Sequence, residues 1–274
     1  MRPAVLGWGM VVVLGATGCG SERARDQVAK TPPVRVTSNA RPTAAPTPKP
    51  TREPAAATRC SGKAEVALTS TRSSYAGYAP RGAVAYRTSA GHAVIARFGR
   101  RNVNGYPTYF GVLGKRLSSD CRTLWYRVEL PMRPNGAAGW VRASAIELQP
   151  VDLRIEVDLS RRQLTLFRAG RRVMRVTVAV GSSATPTPIG RYYVNQRLIP
   201  SNTHGPFGPG ALGISAFSPV LTGWVQGGPV AIHGTNEPWS IGRAVSNGCI
   251  RLPNPTLSRL FKIVPPGTQV IIHP

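Results

Sequence analysis

Leu153-Arg-Ile-Glu-Val-Asp-Leu159, Gln163-Leu-Thr-Leu-Phe167 and Val173-Met-Arg-Val-Thr-Val-Ala-Val180 decide the fold class of this chain. Apolar and polar residues alternate at period two along each run, the spacing at which successive side chains point to opposite faces of a strand. Ser160-Arg-Arg and Ala169-Gly-Arg-Arg separate the runs, so the three are expected to form consecutive antiparallel strands. One helix is legible further on. Asn254 is placed to cap it and Pro255 suits its first turn. Leu257, Leu260, Phe261 and Val264 then fall at i, i+3, i+4 and i+7 before Pro265-Pro-Gly stops it. Gln269-Val-Ile-Ile-His273 reads as a closing strand. Residues 151–274 are therefore expected to make a β-rich domain with one or two short helices, large enough for a single core.

Upstream, residues 60–149 carry shorter strand-like runs broken by Gly, Pro and Asn: Ala83-Val-Ala-Tyr86, Ala93-Val-Ile-Ala96, Trp125-Tyr-Arg-Val-Glu-Leu130 and Gly139-Trp-Val-Arg142. Pro134-Asn-Gly136 predicts a tight reversal. Trp125-Tyr-Arg-Val with Gly139-Trp140-Val141 resembles the end of a bacterial SH3-like domain, which implies a small β-barrel. Such a module serves either to position the protein on wall ligands or as a plain spacer. The whole chain is expected to be mainly β.

The first 59 residues have no core to offer. A basic start, Met1-Arg-Pro, precedes the apolar run Ala4-Val-Leu-Gly-Trp-Gly-Met-Val-Val-Val-Leu14, too short for the roughly 20 residues a spanning helix needs. Residues 1–18 read as a signal peptide. Ala16-Thr-Gly-Cys19 resembles a lipobox, which implies lipidation at Cys19 and a membrane-anchored lipoprotein at the outer face of the cell membrane, in the cell wall. Cleavage by ordinary signal peptidase, giving a secreted protein, is the alternative. From 19 to 59 the chain is rich in Thr, Pro, Ala, Lys and Arg, as in Ala40-Arg-Pro-Thr-Ala-Ala-Pro-Thr-Pro-Lys-Pro50, and reads as a linker.

Chemistry concentrates near the C-terminus. Val230-Ala-Ile-His233-Gly-Thr-Asn236 sets a histidine on an apolar strand-like run, and Ser246-Asn-Gly-Cys249-Ile-Arg251-Leu252 sets a cysteine behind a glycine. A cysteine attacks carbonyls as thiolate, and an imidazole nearby favours that form. Cys249 is therefore the candidate nucleophile and His233 its base. Gly248, without Cβ, permits a sharp turn and lets substrate approach the sulfur and the amides beside it, which suit an oxyanion hole. The Gly234 carbonyl is placed to hold the other imidazole nitrogen, since no Asp or Glu sits adjacent. Ser246 either hydrogen-bonds near the thiolate or stabilises a turn. Asn247 is a candidate to orient the imidazole or donate to substrate. Arg251 either binds a substrate carboxylate or braces the loop through an ion pair. His204, in Thr203-His-Gly-Pro-Phe-Gly-Pro-Gly210, is a candidate lining a substrate lid, while His92 and His273 read as surface or strand-end residues.

His233-Gly-Thr-Asn followed by Ser246-x-Gly-Cys249-x-Arg251 resembles the signature of L,D-transpeptidase (YkuD-type) catalytic domains. Thr185-Pro-Thr-Pro188-Ile-Gly190-Arg-Tyr192 and Gly208-Pro-Gly210-Ala-Leu-Gly213 resemble further segments of that domain. Many members carry histidine before Gly-Cys where this chain has Asn247. The resemblance implies peptidoglycan stem peptides as substrate, a thioester on Cys249, 3-3 cross-links as product and acylation by carbapenems. L,D-carboxypeptidase action on stem tetrapeptides and a non-catalytic wall-binding lipoprotein are the alternatives. With Cys19 lipidated and Cys249 a free thiol, Cys60 and Cys121 remain to pair as a disulfide; four unrelated thiols are the alternative reading.

The formal net charge of +24 comes with no finger, helix-turn-helix or aromatic RNA-binding signature. In an exported chain this predicts anionic lipid headgroups and acidic wall polymers as partners, with no nucleic acid. No His-Glu-x-x-His, Cys-x-x-Cys, Walker loop, Gly-x-Ser-x-Gly or Ser-x-x-Lys occurs, so no metal, no cofactor and no serine nucleophile is expected.

Overall fold

The computed structural model describes residues 65–274. The expected signal peptide and linker, with Cys19 and Cys60, lie outside the described residues. What remains is a mainly β molecule built on two large sheets.

The first sheet comprises β1 (Glu65–Ala67), β2 (Ser74–Tyr78), β3 (Ala83–Tyr86), β4 (Val94–Phe98), β5 (Tyr109–Leu117), β6 (Thr123–Glu129), β7 (Ala138–Arg142) and β8 (Glu147–Val151). Its strands run in the order β4-β3-β7-β6-β5-β2-β8, with β1 also on β5, and every pairing is antiparallel. Phe110, Val112, Val128, Leu130, Val141 and Ile146 fill its core. The reversal predicted at Pro134-Asn-Gly136 joins β6 to β7. Four of its strands escaped the sequence reading, β1, β2, the long central β5 and β8. β2 and β5 carry glycines where a neighbour comes too close for a side chain: an ideal Cβ on Gly111 would stand 2.8 Å from the Tyr193 ring.

β8 runs to Val151, whose backbone pairs with Ser74. The first sheet therefore ends two residues beyond the expected boundary at 149. Val151 does not open the second part; only Asp152 separates β8 from the next strand.

That second part contains β9 (Leu153–Asp158), β10 (Gln163–Arg168), β11 (Arg171–Thr177), β12 (Val180–Gly181), β13 (Gly190–Leu198), β14 (Ala211–Phe217), β15 (Pro229–His233), β16 (Ala244–Ser246), β17 (Ile250–Arg251), α1 (Asn254–Ile263) and β18 (Gln269–His273). The sheet order is β11-β10-β9-β18-β13-β14-β15-β17, with β12 and β16 forming a separate parallel pair. Strands β9 to β11 are antiparallel neighbours, as their alternation predicted. Leu153, Ile155 and Val157 are buried while Arg154, Glu156 and Asp158 are not.

Two expectations are corrected. The run to Val180 does not continue as one strand: β11 stops at Thr177 because Val178, Ala179 and Val180 are buried in succession, which period-two geometry forbids within a sheet that buries one face. Pro253, rather than Asn254, occupies the N-cap position, and Asn254 is the first helical residue. The closing strand expected at 269–273 forms as β18 and lies inside the sheet, parallel to β9 and antiparallel to β13.

Polar contacts bind the two sheets together. Tyr193 on β13 lies over Gly111 and donates its hydroxyl to the Tyr109 carbonyl at 3.0 Å. Ser215 on β14 accepts from the Tyr193 amide at 3.1 Å and donates to the Glu129 carboxyl on β6. Arg133 donates to the carbonyls of Ser218 and Gly227, at 2.6 and 2.7 Å.

Candidate active site

Strand β15 buries Val230, Ile232 and His233 in succession with intervening Ala231 half-buried, and ends at the histidine. Antiparallel pairing sets Ala211 opposite His233 on one side. On the other, β17 runs parallel, with Ile232 opposite Ile250 and His233 opposite Arg251. One step back along that register, Cys249 comes level with Ala231, whose backbone amide hydrogen-bonds the sulfur. A parallel pair needs a crossover, here residues 234–249, so the ladder brings together residues that no hairpin could. The Leu252 amide donates to the His233 carbonyl at 2.8 Å and fixes the crossover's far end.

The imidazole is oriented by backbone. A carbonyl only accepts, so His233 Nδ1 carries the proton it gives to Gly234 O at 2.5 Å, and Nε2 keeps its lone pair. The Phe207 ring lies 4.9 Å from the imidazole, tilted by 59°. Burial pushes the His233 pKa down to about 4; the Gly234 bond opposes this and the Arg251 charge adds to it. Burial likewise pushes the Cys249 thiol up, against the Ala231 amide and Arg251, which pull it down. For each of the two groups, desolvation favours the neutral form.

Loop 246–249 is held by threonines that the sequence reading did not single out. Thr187 Oγ1 donates to the Gly248 carbonyl at 2.9 Å and accepts from the Gly181 amide at 2.8 Å. Thr185 Oγ1 donates to the Ser246 carbonyl at 2.9 Å. Gly248 adopts φ +104°, a value that favours glycine. Ser246 proves to be the turn residue: its hydroxyl accepts from the Gly248 amide at 3.2 Å and donates to the Cys249 carbonyl at 2.5 Å.

Arg251 makes the kind of ion pair that its bracing reading calls for. Nη1 is ion-paired with Glu237, and the Glu237 amide donates to Thr235 Oγ1 at 2.9 Å, so the guanidinium ties the crossover to the strand beside Cys249. Its buried Nε has no hydrogen-bond partner. Asn247 and His204 are exposed, and neither touches the imidazole through a side-chain hydrogen bond among the described residues. His204 sits in a turn, its amide bonded to Asn202 Oδ1, in the same loop that carries Phe207 to the histidine.

Asn254 is a site residue misread as a cap. Its Oδ1 accepts from the Thr235 amide at 2.8 Å and occupies the space where a Cβ on Gly234 or Gly208 would stand, 2.3 and 2.4 Å away. Both glycines are required by that close approach. The amide side chain thus packs against the residue whose carbonyl orients His233. No spacing rule reveals this, because an Asn beside Pro at a helix start is the ordinary signature of a cap.

Cys249 is a free thiol. Among the described residues no group of His, Cys, Asp and Glu could hold a metal ion, and no helix is long and apolar enough to cross a membrane.

A family model described as the L,D-transpeptidase catalytic domain (YkuD) matches residues 152–272. A Bacillus licheniformis protein named as the L,D-transpeptidase YkuD is 40% identical over 124 residues, covering 45% of this chain and 67% of the relative. The Bacillus subtilis protein of that name is 38% identical over 123 residues, with the same two coverages of 45% and 67%. The catalytic domain of the E. faecium L,D-transpeptidase, solved by NMR, is 26% identical with a TM-score of 0.33, covering 44% of this chain and 97% of that one.

Proposed function

This chain belongs to the L,D-transpeptidase (YkuD) family, and we propose that it joins peptidoglycan stem peptides through a thioester on Cys249, forming 3-3 cross-links. One observation carries the reading: the parallel ladder that sets Cys249 beside the strand ending in His233, with Nδ1 of that histidine committed to Gly234 O.

The chemistry starts from a neutral pair. As the sulfur attacks the peptide carbonyl after the third residue of a donor tetrapeptide, the thiol proton passes to His233 Nε2, so charge appears only as the bond forms. The developing oxyanion is assigned to the backbone amides of Gly248 and Cys249, the Gly248 N–H exchanging its Ser246 partner for it. Collapse breaks the C–N bond and Nε2–H protonates the departing D-alanine amine, leaving a thioester and a neutral imidazole. An acceptor amine then gives its proton to Nε2 and takes the acyl group, restoring the thiol.

Incubation of the mature chain, residues 20–274, with purified muropeptides tests this. Dimers linked through two third-position residues are expected; tripeptide alone would replace transpeptidation with L,D-carboxypeptidase action. An imipenem adduct mapped to Cys249 by intact-protein and peptide mass spectrometry is expected too, and its persistence in Cys249→Ala would overturn the nucleophile.

The proposal extends to the part before residue 65. Residues 1–18 direct export, Cys19 carries the lipid, and the 19–59 linker lets the catalytic part reach the wall. Cys60 closes a disulfide with Cys121, and the first sheet serves as an SH3-like module. Cys19→Ser should release the protein from membranes; equal retention would refute the anchor.

A further inference from the structure

The first sheet carries a cleft of about 290 Å³ lined by Arg81, Val84, Tyr86, Arg97 and Arg142, with no acidic residue in its lining. Strand register arranges three of these in a row. Arg97 lies opposite Val84 across β3 and β4. Tyr86 lies opposite Trp140 across β3 and β7, and two residues along that antiparallel ladder Arg142 comes level with Val84. Val84 is thus flanked by arginines on both neighbouring strands. At the usual strand spacing their Cα atoms stand about 10 Å apart on one face.

Like charges gathered on neighbouring positions of a sheet oppose folding unless an anion sits between them. Arg81, Arg97 and Arg142 are exposed, and none of the ion pairs among the described residues includes them. Arg142 is also held in place: its guanidinium lies 4.8 Å from the centre of the Trp125 ring. Tyr86 meets that ring edge-on at 5.6 Å. A guanidinium stacked on an indole keeps its N–H fork turned outward and loses less freedom on binding.

We propose that this cleft is a binding site for a linear polyanion with repeating phosphate groups. Phosphate oxygens match the paired N–H fork of arginine. A row of guanidinium groups along an open groove engages successive phosphates of one chain, and Tyr86 offers a face to whatever links them. A wall-bound enzyme would be retained on an acidic polymer by this sheet while its other sheet does the chemistry. The inference concerns a different surface from Cys249, so its failure and that of the transpeptidase reading are separable.

Inorganic polyphosphate is the probe, titrated at near-physiological salt into the mature chain, residues 20–274, its triple variant Arg81→Gln/Arg97→Gln/Arg142→Gln, and the equally discharged control Arg171→Gln/Arg172→Gln/Arg175→Gln on strand β11. A loss of about tenfold or more is expected in the cleft variant and less than about threefold in the control. The salt dependence of binding should also flatten in the cleft variant alone, as phosphate contacts are lost. An unchanged Tm and an unchanged rate of imipenem adduct formation show that the cleft variant remains folded. Equal weakening of both triple variants, or no binding by the parent protein, overturns the site. Equal affinity for polyglutamate overturns the phosphate assignment. A loss on anionic phospholipid vesicles as large as that on polyphosphate overturns the polymer in favour of a lipid surface.

Discussion

The two sheets differ in the direction of their pairings. In the first, every ladder is antiparallel. In the second, two parallel ladders, β9 with β18 and β15 with β17, tie together remote segments. The candidate chemistry sits on a parallel ladder, and the arginine cleft on an antiparallel one. Parallel pairing leaves a crossover free to loop over the strand ends, and here that crossover holds Glu237 and Asn247 while delivering Cys249 to the strand that ends in His233. The first sheet has no such crossover, so it presents a surface.

The hardest way to break that division is Cys249→Ala. Loss of all imipenem adduct and cross-linking is expected, with polyphosphate binding unchanged; residual turnover would place chemistry elsewhere. Next, His233→Ala should slow adduct formation by about 10²-fold or more near neutral pH, the usual scale for a general base. Rate should recover partly at alkaline pH as the thiol ionises unaided. In the parent protein the imidazole is neutral above about pH 4, so the acid limb of the rate profile should fall there. An acid limb near 6.5 would contradict the burial of His233.

Asn254 separates support from scaffold on a smaller scale. Asn254→Leu leaves the Thr235 amide without an acceptor, a loss of about 1–3 kcal/mol, and should shift the acid limb of adduct formation because the Gly234 carbonyl moves. Asn254→Asp keeps the acceptor and should restore that limb. If both variants lose stability yet retain the parent profile, Asn254 braces the fold without orienting His233.

Buried titrations sharpen the comparison further, since each sheet contributes one of opposite sign. His233, with its pKa pushed down from 6.5 to about 4, binds protons less readily folded than unfolded, so stability falls as pH drops from 6.5 to 4. Glu129, pushed up by burial from 4.5 to about 7, binds them more readily folded, so stability falls as pH rises from 4.5 to 7. Glu129→Gln should flatten the second slope and leave the first. Identical Tm profiles for parent and variant would mean that the carboxyl is solvated. The smallest effect is expected for exposed Asn247: Asn247→Ala should change stability by less than about 0.5 kcal/mol, and a rise in KM without a fall in kcat would assign it to substrate binding.

The residue types of the site were legible without coordinates, and so was much of the β framework. Period-two alternation marked β9, β10 and β11 because one face of each strand is buried and the other wet. It missed β5, whose Phe110, Gly111 and Val112 are buried in succession between its own core and Tyr193. Cys249, His233 and the Gly234 carbonyl could be singled out as candidates because all three lie within short, distinctive segments.

Protonation and support were not readable, since both depend on what surrounds a group rather than on its neighbours in sequence. Arg251 as a brace needed Glu237 to come within reach, and the role of Thr187 needed β12 to lie beside loop 246–249. Asn254 became a support for Thr235 only because α1 begins under the strand that ends at His233. Sequence determined which chemistry the chain carries, through residue type and local spacing. Tertiary structure decided its resting charge state and its orientation, because desolvation and hydrogen-bond geometry are set by groups that the fold brings together from distant parts of the chain.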